Sequence, residues 1–130
     1  MDISELKDLI RCGENEKVDF KKSITNLYKI ARTMVAFANQ KGGQMLVGVD
    51  DQKQIIGVQA EEEKYMLSQA ADLYVAPPIH IIFEEIEIEK NVVLVVNIPE
   101  GKEKSYLARN EQDEWKMYIR QHDKSILVIP

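Results

Sequence analysis

Apolar residues at Ile3, Leu6, Leu9 and Ile10 recur at helical spacing, and Gly13 stands where a left-handed C-terminal cap belongs, so a short amphipathic helix over residues 1–11 opens the chain. Lys17, Asp19 and Lys21 then alternate with Val18 and Phe20, the period of a half-buried strand whose charges face water. From Ile24 a wide stripe through Leu27, Ile30, Met34, Val35 and Phe37 predicts the core helix of the fold, with Ser23 or Thr25 as N-cap and Gly42-Gly43 at its end. Residues 45–49 are apolar except for Gly48, as a strand covered on both faces requires. Asp50-Asp51-Gln52-Lys53 reads as a turn, and 54–58 is expected to return as a short strand paired with 45–49.

Helical periodicity resumes over 61–75, with Tyr65, Met66, Leu67, Ala70, Leu73 and Tyr74 on the expected buried side, until Pro77-Pro78 forbids its continuation. Two strands follow at 79–89 and 91–98, closed by a hairpin at Glu89-Lys90-Asn91, and two more are expected at 105–108 and 115–120. The pattern predicts an α+β domain, a mixed, mostly antiparallel sheet with two to three helices. The final Ile126-Leu127-Val128-Ile129 is out of place in water. Either it packs as a last strand or the natural polypeptide continues, and the second reading is preferred: residues 1–130 are expected to be a single domain, the N-terminal part of a longer protein.

Composition narrows the class. A chain of 130 residues lies in the single-domain range, and its lone cysteine, Cys12, excludes an internal disulfide or a Cys-rich zinc module and is expected to be a small buried hydrophobe. The opening residues lack a secretion signal, and no stretch reaches the roughly 18 apolar residues that span a bilayer, so a cytoplasmic protein with no membrane partner is expected. The net charge of −5 argues against a strongly electropositive surface, but it is unevenly spread: residues 1–42 carry +2 and residues 50–90 carry −7. That asymmetry leaves room for a basic face on an acidic protein.

Candidate chemistry is sparse. His80 and His122 lie far apart in sequence and read as structural or surface residues, and Cys12 has no nearby histidine to activate it. Gly42-Gly43 and Gly48 do not form a Walker A loop, because no Lys-Ser/Thr follows and the glycines lie between a helix and a strand. Glu14, Asp19, Asp50 and Asp51 lie around elements that can be neighbours. Three converging carboxylates are what a divalent ion needs for phosphodiester hydrolysis, although Asp50-Asp51 is also ordinary turn chemistry.

Three segments taken together are more specific than any one alone: Gly13-Glu14-Asn15-Glu16-Lys17-Val18-Asp19-Phe20-Lys21-Lys22-Ser23, then Ala36-Phe37-Ala38-Asn39-Gln40-Lys41-Gly42-Gly43, then Leu46-Val47-Gly48-Val49-Asp50-Asp51 with Ile56-Gly57-Val58. This ordered series closely resembles the Schlafen AlbA-2 domain family. Later features agree: Pro77-Pro78, the apolar run at 92–99, Lys104-Ser105-Tyr106 and Tyr118-Ile119-Arg120. The resemblance covers roughly residues 5–125.

The resemblance implies a nucleic-acid-binding domain of a transcriptional regulator-like protein, bound mainly through phosphate backbone. On that reading Lys17, Lys21, Lys22 and Lys29 face phosphates, and Arg120 adds a bidentate fork. Tyr106, Trp115 and Tyr118 either stack bases or belong to the core, and Asn39 is expected to close the Gly42-Gly43 turn. The family's ribonucleases imply an alternative, a metal-dependent endoribonuclease in which Glu14, Asp19 and Asp50 or Asp51 act as the catalytic set and Glu14, Asp19 and Asp50 hold Mg or Mn. Asp for Glu at 19 shortens that reach by one methylene, and a homodimer would have to supply the duplicated arrangement of those nucleases. No other cofactor is expected. The family's association with ATP finds no phosphate loop here, and an ATP-binding or protein-interaction module, with the acidic 50–90 region as contact surface, is the third reading.

Overall fold

The computed structural model describes residues 1–102 and 105–129. Its first helix, α1 (Ile3–Cys12), starts at Asp2, whose side chain accepts from the Glu5 N–H, and ends at Gly13 with φ 84°. Strand β1 (Val18–Lys21) leads through a loop to α2 (Leu27–Ala38), and β2 (Gly43–Val47) then runs parallel to β1, with Val18 opposite Gln44 and Lys21 opposite Val47. The α2 N-cap is Asn26, whose Oδ1 accepts from the Lys29 N–H, rather than Ser23 or Thr25. Beyond β2, Gly48 (φ 109°) and Gly57 (φ 83°) turn the backbone, and the expected strand at 54–58 shrinks to a single bridge between Val49 and Ile55.

Next come α3 (Ala60–Tyr74), the two-residue β3 (Val75–Ala76), and the hairpin β4 (Ile82–Ile88) and β5 (Asn91–Ile98). The hairpin turns through Glu89 and Lys90, both with positive φ, which suits the right-handed twist of the strands it joins. The chain closes with β6 (Leu107–Arg109), β7 (Trp115–Gln121) and β8 (Lys124–Leu127). The terminal apolar run thus contributes to a last strand. Of the sequence features named above, Lys104 and Pro130 lie outside the described residues.

The strands form two four-stranded sheets, β1-β2-β5-β4 and β3-β6-β7-β8, with only β1–β2 parallel. Among the described residues the domain is α+β with three helices, as the pattern predicts, but with two sheets in place of one. The first sheet is covered on both faces. Leu6 and Ile10 of α1 pack on one side with Val18, Phe20, Leu46, Val93 and Val95, while α2 packs on the other with Met45, Val47, Leu94 and Val96. Burial on both faces explains why β2 and β5 read as nearly unbroken apolar runs. Helix α2 also packs against the second sheet, through Tyr106, Ala108 and Tyr118, and against Leu67 and Ala70 of α3, so Met34, Val35, Ala36, Phe37 and Ala38 are all fully buried. Each large side chain enclosed in this way contributes roughly 1.5–3 kcal/mol.

Helix α3 departs from its pattern. Leu67 and Ala70 are buried as expected, but Tyr65 and Leu73 are exposed and Glu63 is buried. The Glu63 carboxylate accepts from the Ile24 N–H, so a charged side chain turns inward to serve the loop before α2. Among the described residues, no helix is long and apolar enough to cross a membrane.

Candidate nucleic-acid interface and the motif clasp

The α2 end carries the most specific sequence signature, and its side chains hold the two sheets together. Asn39 Nδ2 donates to the Tyr106 and Tyr118 carbonyls at 3.0 and 2.8 Å, and its Oδ1 accepts from the Tyr106 N–H at 2.7 Å. Gln40 Oε1 accepts from the Arg120 N–H. Asn39 therefore joins α2 to β7 and to the start of β6, rather than closing the glycine turn. Gly42 and Gly43 are required by close approach: a Cβ on Gly42, at φ 77°, would meet the Ile98 carbonyl at 2.6 Å, and one on Gly43 would meet the Phe37 ring at 2.5 Å.

The acidic motif before β1 is part of the same clasp. Strand β1 is the edge of its sheet, and two of its outward backbone groups receive side chains: Glu14 Oε2 accepts from the Phe20 N–H at 3.0 Å, and Arg120 Nη2 donates to the Val18 carbonyl at 3.2 Å, beside the Asn15 N–H. Arg120 Nη2 also donates to Asp19 Oδ1 at 3.0 Å, Nε donates to the Asn15 carbonyl at 3.2 Å, and the guanidinium lies 4.9 Å from the centre of the Phe37 ring. Arg120 is 2% exposed and Asp19 3%. The strand read as half-buried therefore has its central charge enclosed. The expected phosphate-binding fork at Arg120 is not available, because its donors are spent inside the protein.

Glu14 and Asp19 do approach each other. Burial holds the Glu14 carboxyl above its ordinary range, against the pull of the Phe20 N–H, and the Asp19 charge pushes the same way. When protonated, Glu14 can donate to the Asp19 carboxylate, whose Oδ2 is buried and has the Lys21 ammonium at 3.2 Å. The expected third carboxylate does not join them. Asp50 Oδ1 accepts from the Gln52 and Gln54 N–H groups of its own turn, Asp51 is exposed, and no three His, Cys, Asp or Glu side chains among the described residues are grouped to hold a metal. The Glu14, Asp19, Asp50 metal set and the catalytic set with Asp51 are thus not assembled in this fold. His80, His122 and Cys12 are all exposed, against the expectation of a buried thiol.

The lysines are placed differently from a single patch. Because α2 must run back against β1 to connect two parallel strands, Lys17 at the start of β1 lies near the end of α2, while Lys22 and Lys29 lie where β1 finishes and α2 begins. The two groups are separated by about the length of α2, ~18 Å. Lys17 and Lys41 line a shared hollow of about 400 Å³ with Gln40, Gly42, Glu16 and Glu100. Among the described residues no acid pairs with Lys17, Lys22, Lys29 or Lys41, whereas Lys21 is held by Asp19. Lys41 was not among the expected binding residues, although the antiparallel return of a crossover helix places the residue after its end beside the start of the preceding strand. Of the aromatic candidates for stacking, Tyr106 and Tyr118 are buried in the core and Trp115 is 42% exposed.

This is a two-sheet α+β domain built around a buried crossover helix, with a polar clasp at one sheet edge. The family model described as "Schlafen, AlbA_2" matches residues 14–128, and the chain belongs to that family. Two solved structures share the fold. The DIP2311 protein of Corynebacterium diphtheriae matches with a TM-score of 0.62 at 18% identity, over 97% of this chain and 26% of that one. The N-terminal domain of a RecG-related protein of Nitrosomonas europaea matches with a TM-score of 0.61 at 18% identity, over 89% of this chain and 81% of that one. This chain thus spans about a quarter of the DIP2311 chain. No curated protein matches it.

Proposed function

We propose that this domain binds nucleic acid through the phosphate backbone, using two lysine pairs, Lys17 with Lys41 and Lys22 with Lys29, at opposite ends of the β1–α2–β2 unit. The observation that carries this reading is that the fold gathers these lysines at the two ends of one β1–α2–β2 unit with no ion pair to an acid among the described residues, whereas Lys21 and Arg120 of the same region are engaged by Asp19. A free lysine charge displaces counterions from phosphate, whereas a paired one must first lose its own partner. The ~18 Å between the pairs corresponds to about five nucleotides along one strand, at about 3.4 Å per phosphate. The Schlafen AlbA-2 membership supports the reading, as does a fold relative whose name refers to an ATP-dependent DNA helicase.

Contacts of this type position a protein without reading bases, so binding is weakly sequence-specific and strongly salt-dependent. A place in a transcriptional regulator-like protein of the cytoplasm, working as a pair of copies, fits that chemistry. Fluorescence anisotropy of labelled single-stranded, duplex and hairpin DNA and RNA at low salt tests it. Binding to at least one probe, weakened at least tenfold by K17E/K41E and likewise by K22E/K29E, is expected. Absence of binding to every probe would overturn the reading.

A further inference from the structure

One row across the first sheet is polar where its neighbours are apolar. Gln44, Asn97 and Ile82 lie opposite one another on β2, β5 and β4, two residues from Leu46 and Val95 and on the same face. The hydrogen bonds along this row fix which way each amide points. The Ile82 carbonyl and the Glu84 carboxylate can only accept, so Asn97 turns Nδ2 to them, at 3.3 and 2.9 Å. Its Oδ1 therefore faces Gln44, whose Nε2 donates to it at 2.9 Å. Gln44 Oε1 and the second Nε2 hydrogen remain, and neither has a hydrogen bond among the described residues.

Gln44 and Asn97 line a hollow of about 290 Å³ together with Lys17, Lys41, Ile82 and Pro99. No acidic side chain among the described residues lines it, in a chain of net charge −5. The Gln44 N–H bonds to the Lys17 carbonyl at 2.8 Å, which ties the amide to the position of that lysine. Cationic groups, an amide with a donor and an acceptor to spare, and the exposed side chains of Ile82 and Pro99 thus share one depression.

We propose that this hollow takes one unpaired base of a single-stranded nucleic acid, with the pairing edge of the base on the Gln44 amide and its flanking phosphates on Lys17 and Lys41. This rests on the phosphate contact of Lys17 and Lys41 proposed above, and adds the form of strand that the contact selects. The pairing edge of every base sets a donor beside an acceptor, as N6–H beside N1 in adenine or N3–H beside O4 in thymine and uracil. An amide with one acceptor and one donor left meets any of them, and in a duplex the same groups are spent on the opposite strand. Gln44 therefore distinguishes unpaired from paired bases and not one base from another, in agreement with weak sequence specificity. Ile82 and Pro99 offer apolar surface to the ring face. Phosphate and base contacts leave different marks in a salt titration: each phosphate adds to the slope of log K against log salt, whereas amide and apolar contacts change K alike at every salt concentration.

Anisotropy titrations across salt test the subsite with oligo-dT, oligo-U, a duplex, and a strand of equal length built from abasic nucleotides. The abasic strand keeps every phosphate and has no base. Wild type is expected to bind oligo-dT or oligo-U about tenfold more tightly than the abasic strand, within the range of one base contact, at the same salt slope. Gln44→Ala is expected to remove most of that advantage while leaving the slope, the abasic-strand affinity and the duplex affinity as in wild type. K17Q/K41Q is expected to do the reverse, lowering the slope on both strands and keeping their ratio. Equal affinity of wild type for the normal and abasic strands would overturn the base subsite and leave the phosphate reading standing. An advantage that survives in Gln44→Ala would also overturn it, as would a loss on duplex equal to that on single strands. Absence of binding to every strand would overturn the lysine contacts and the subsite together.

Discussion

Arg120 is the residue on which the clasp depends. Its guanidinium neutralises Asp19, satisfies the outward Val18 carbonyl and covers the Phe37 ring, all at 2% exposure. Arg120→Ala leaves the buried Asp19 carboxylate with Lys21 as its one ion-pair partner among the described residues, and the expected loss is about 3–5 kcal/mol in urea unfolding, the usual result of breaking a buried pair. A loss below about 1 kcal/mol would mean that water replaces the guanidinium. Glu14 gives a second test. Its carboxyl is held above the ordinary range by burial, so the folded protein binds this proton more tightly than the unfolded chain. The resulting stability is complete below the unfolded carboxylate pKa, about 4.3, and is lost as pH rises through the folded value. Glu14→Gln keeps an acceptor for the Phe20 N–H and gains a donor towards Asp19, so it is expected to remove that part of the pH profile and to be more stable than wild type at neutral pH. An unchanged profile would contradict the shared-proton arrangement. None of this was legible in the sequence. Asp19 and Arg120 are 101 residues apart, and an alternating charge in a strand reads as solvent-facing unless its partner is known.

Among the elements, α2 and the β4–β5 hairpin were the most legible, because a wide helical stripe ending in Gly-Gly and the unbroken apolar run at residues 92–96 each admit few alternatives. The α2 start was misplaced by one to three residues, since Ser23, Thr25 and Asn26 are all capable caps and only the backbone decides among them. Asn26→Ala removes the acceptor for the Lys29 N–H and is expected to cost about 1 kcal/mol, read as a lower urea midpoint at constant m. No change would mean that the Asn26 side chain does not cap the helix. Helix α3 was mispatterned for a physical reason. Its burial is set by a narrow contact with α2 through Leu67 and Ala70, so Tyr65 and Leu73 are left in water and Glu63 is drawn inward by a backbone donor. The terminal run was recognised as anomalous, but its place as an edge strand depends on β7 alongside it.

At the scale of the molecule, the central fact is that α2 connects two parallel strands through the middle of the fold and so divides the basic residues between its ends. The sequence grouped Lys17, Lys21, Lys22 and Lys29 because they are close along the chain. The fold instead pairs Lys17 with Lys41, engages Lys21 with Asp19 and buries Arg120. The same topology explains the dispersed carboxylates: Glu14 and Asp19 belong to the β1 edge, whereas Asp50 closes a turn beyond β2. The account is tested most directly by the salt dependence of oligonucleotide binding in the wild type and in K17Q/K41Q. Four phosphate contacts predict a slope of log K against log salt of about −3.6 on duplex, or −2.8 on single strands. Neutralising one pair is expected to halve that slope and to leave the melting temperature unchanged. A slope in K17Q/K41Q equal to that of the wild type would contradict the placement of the binding site.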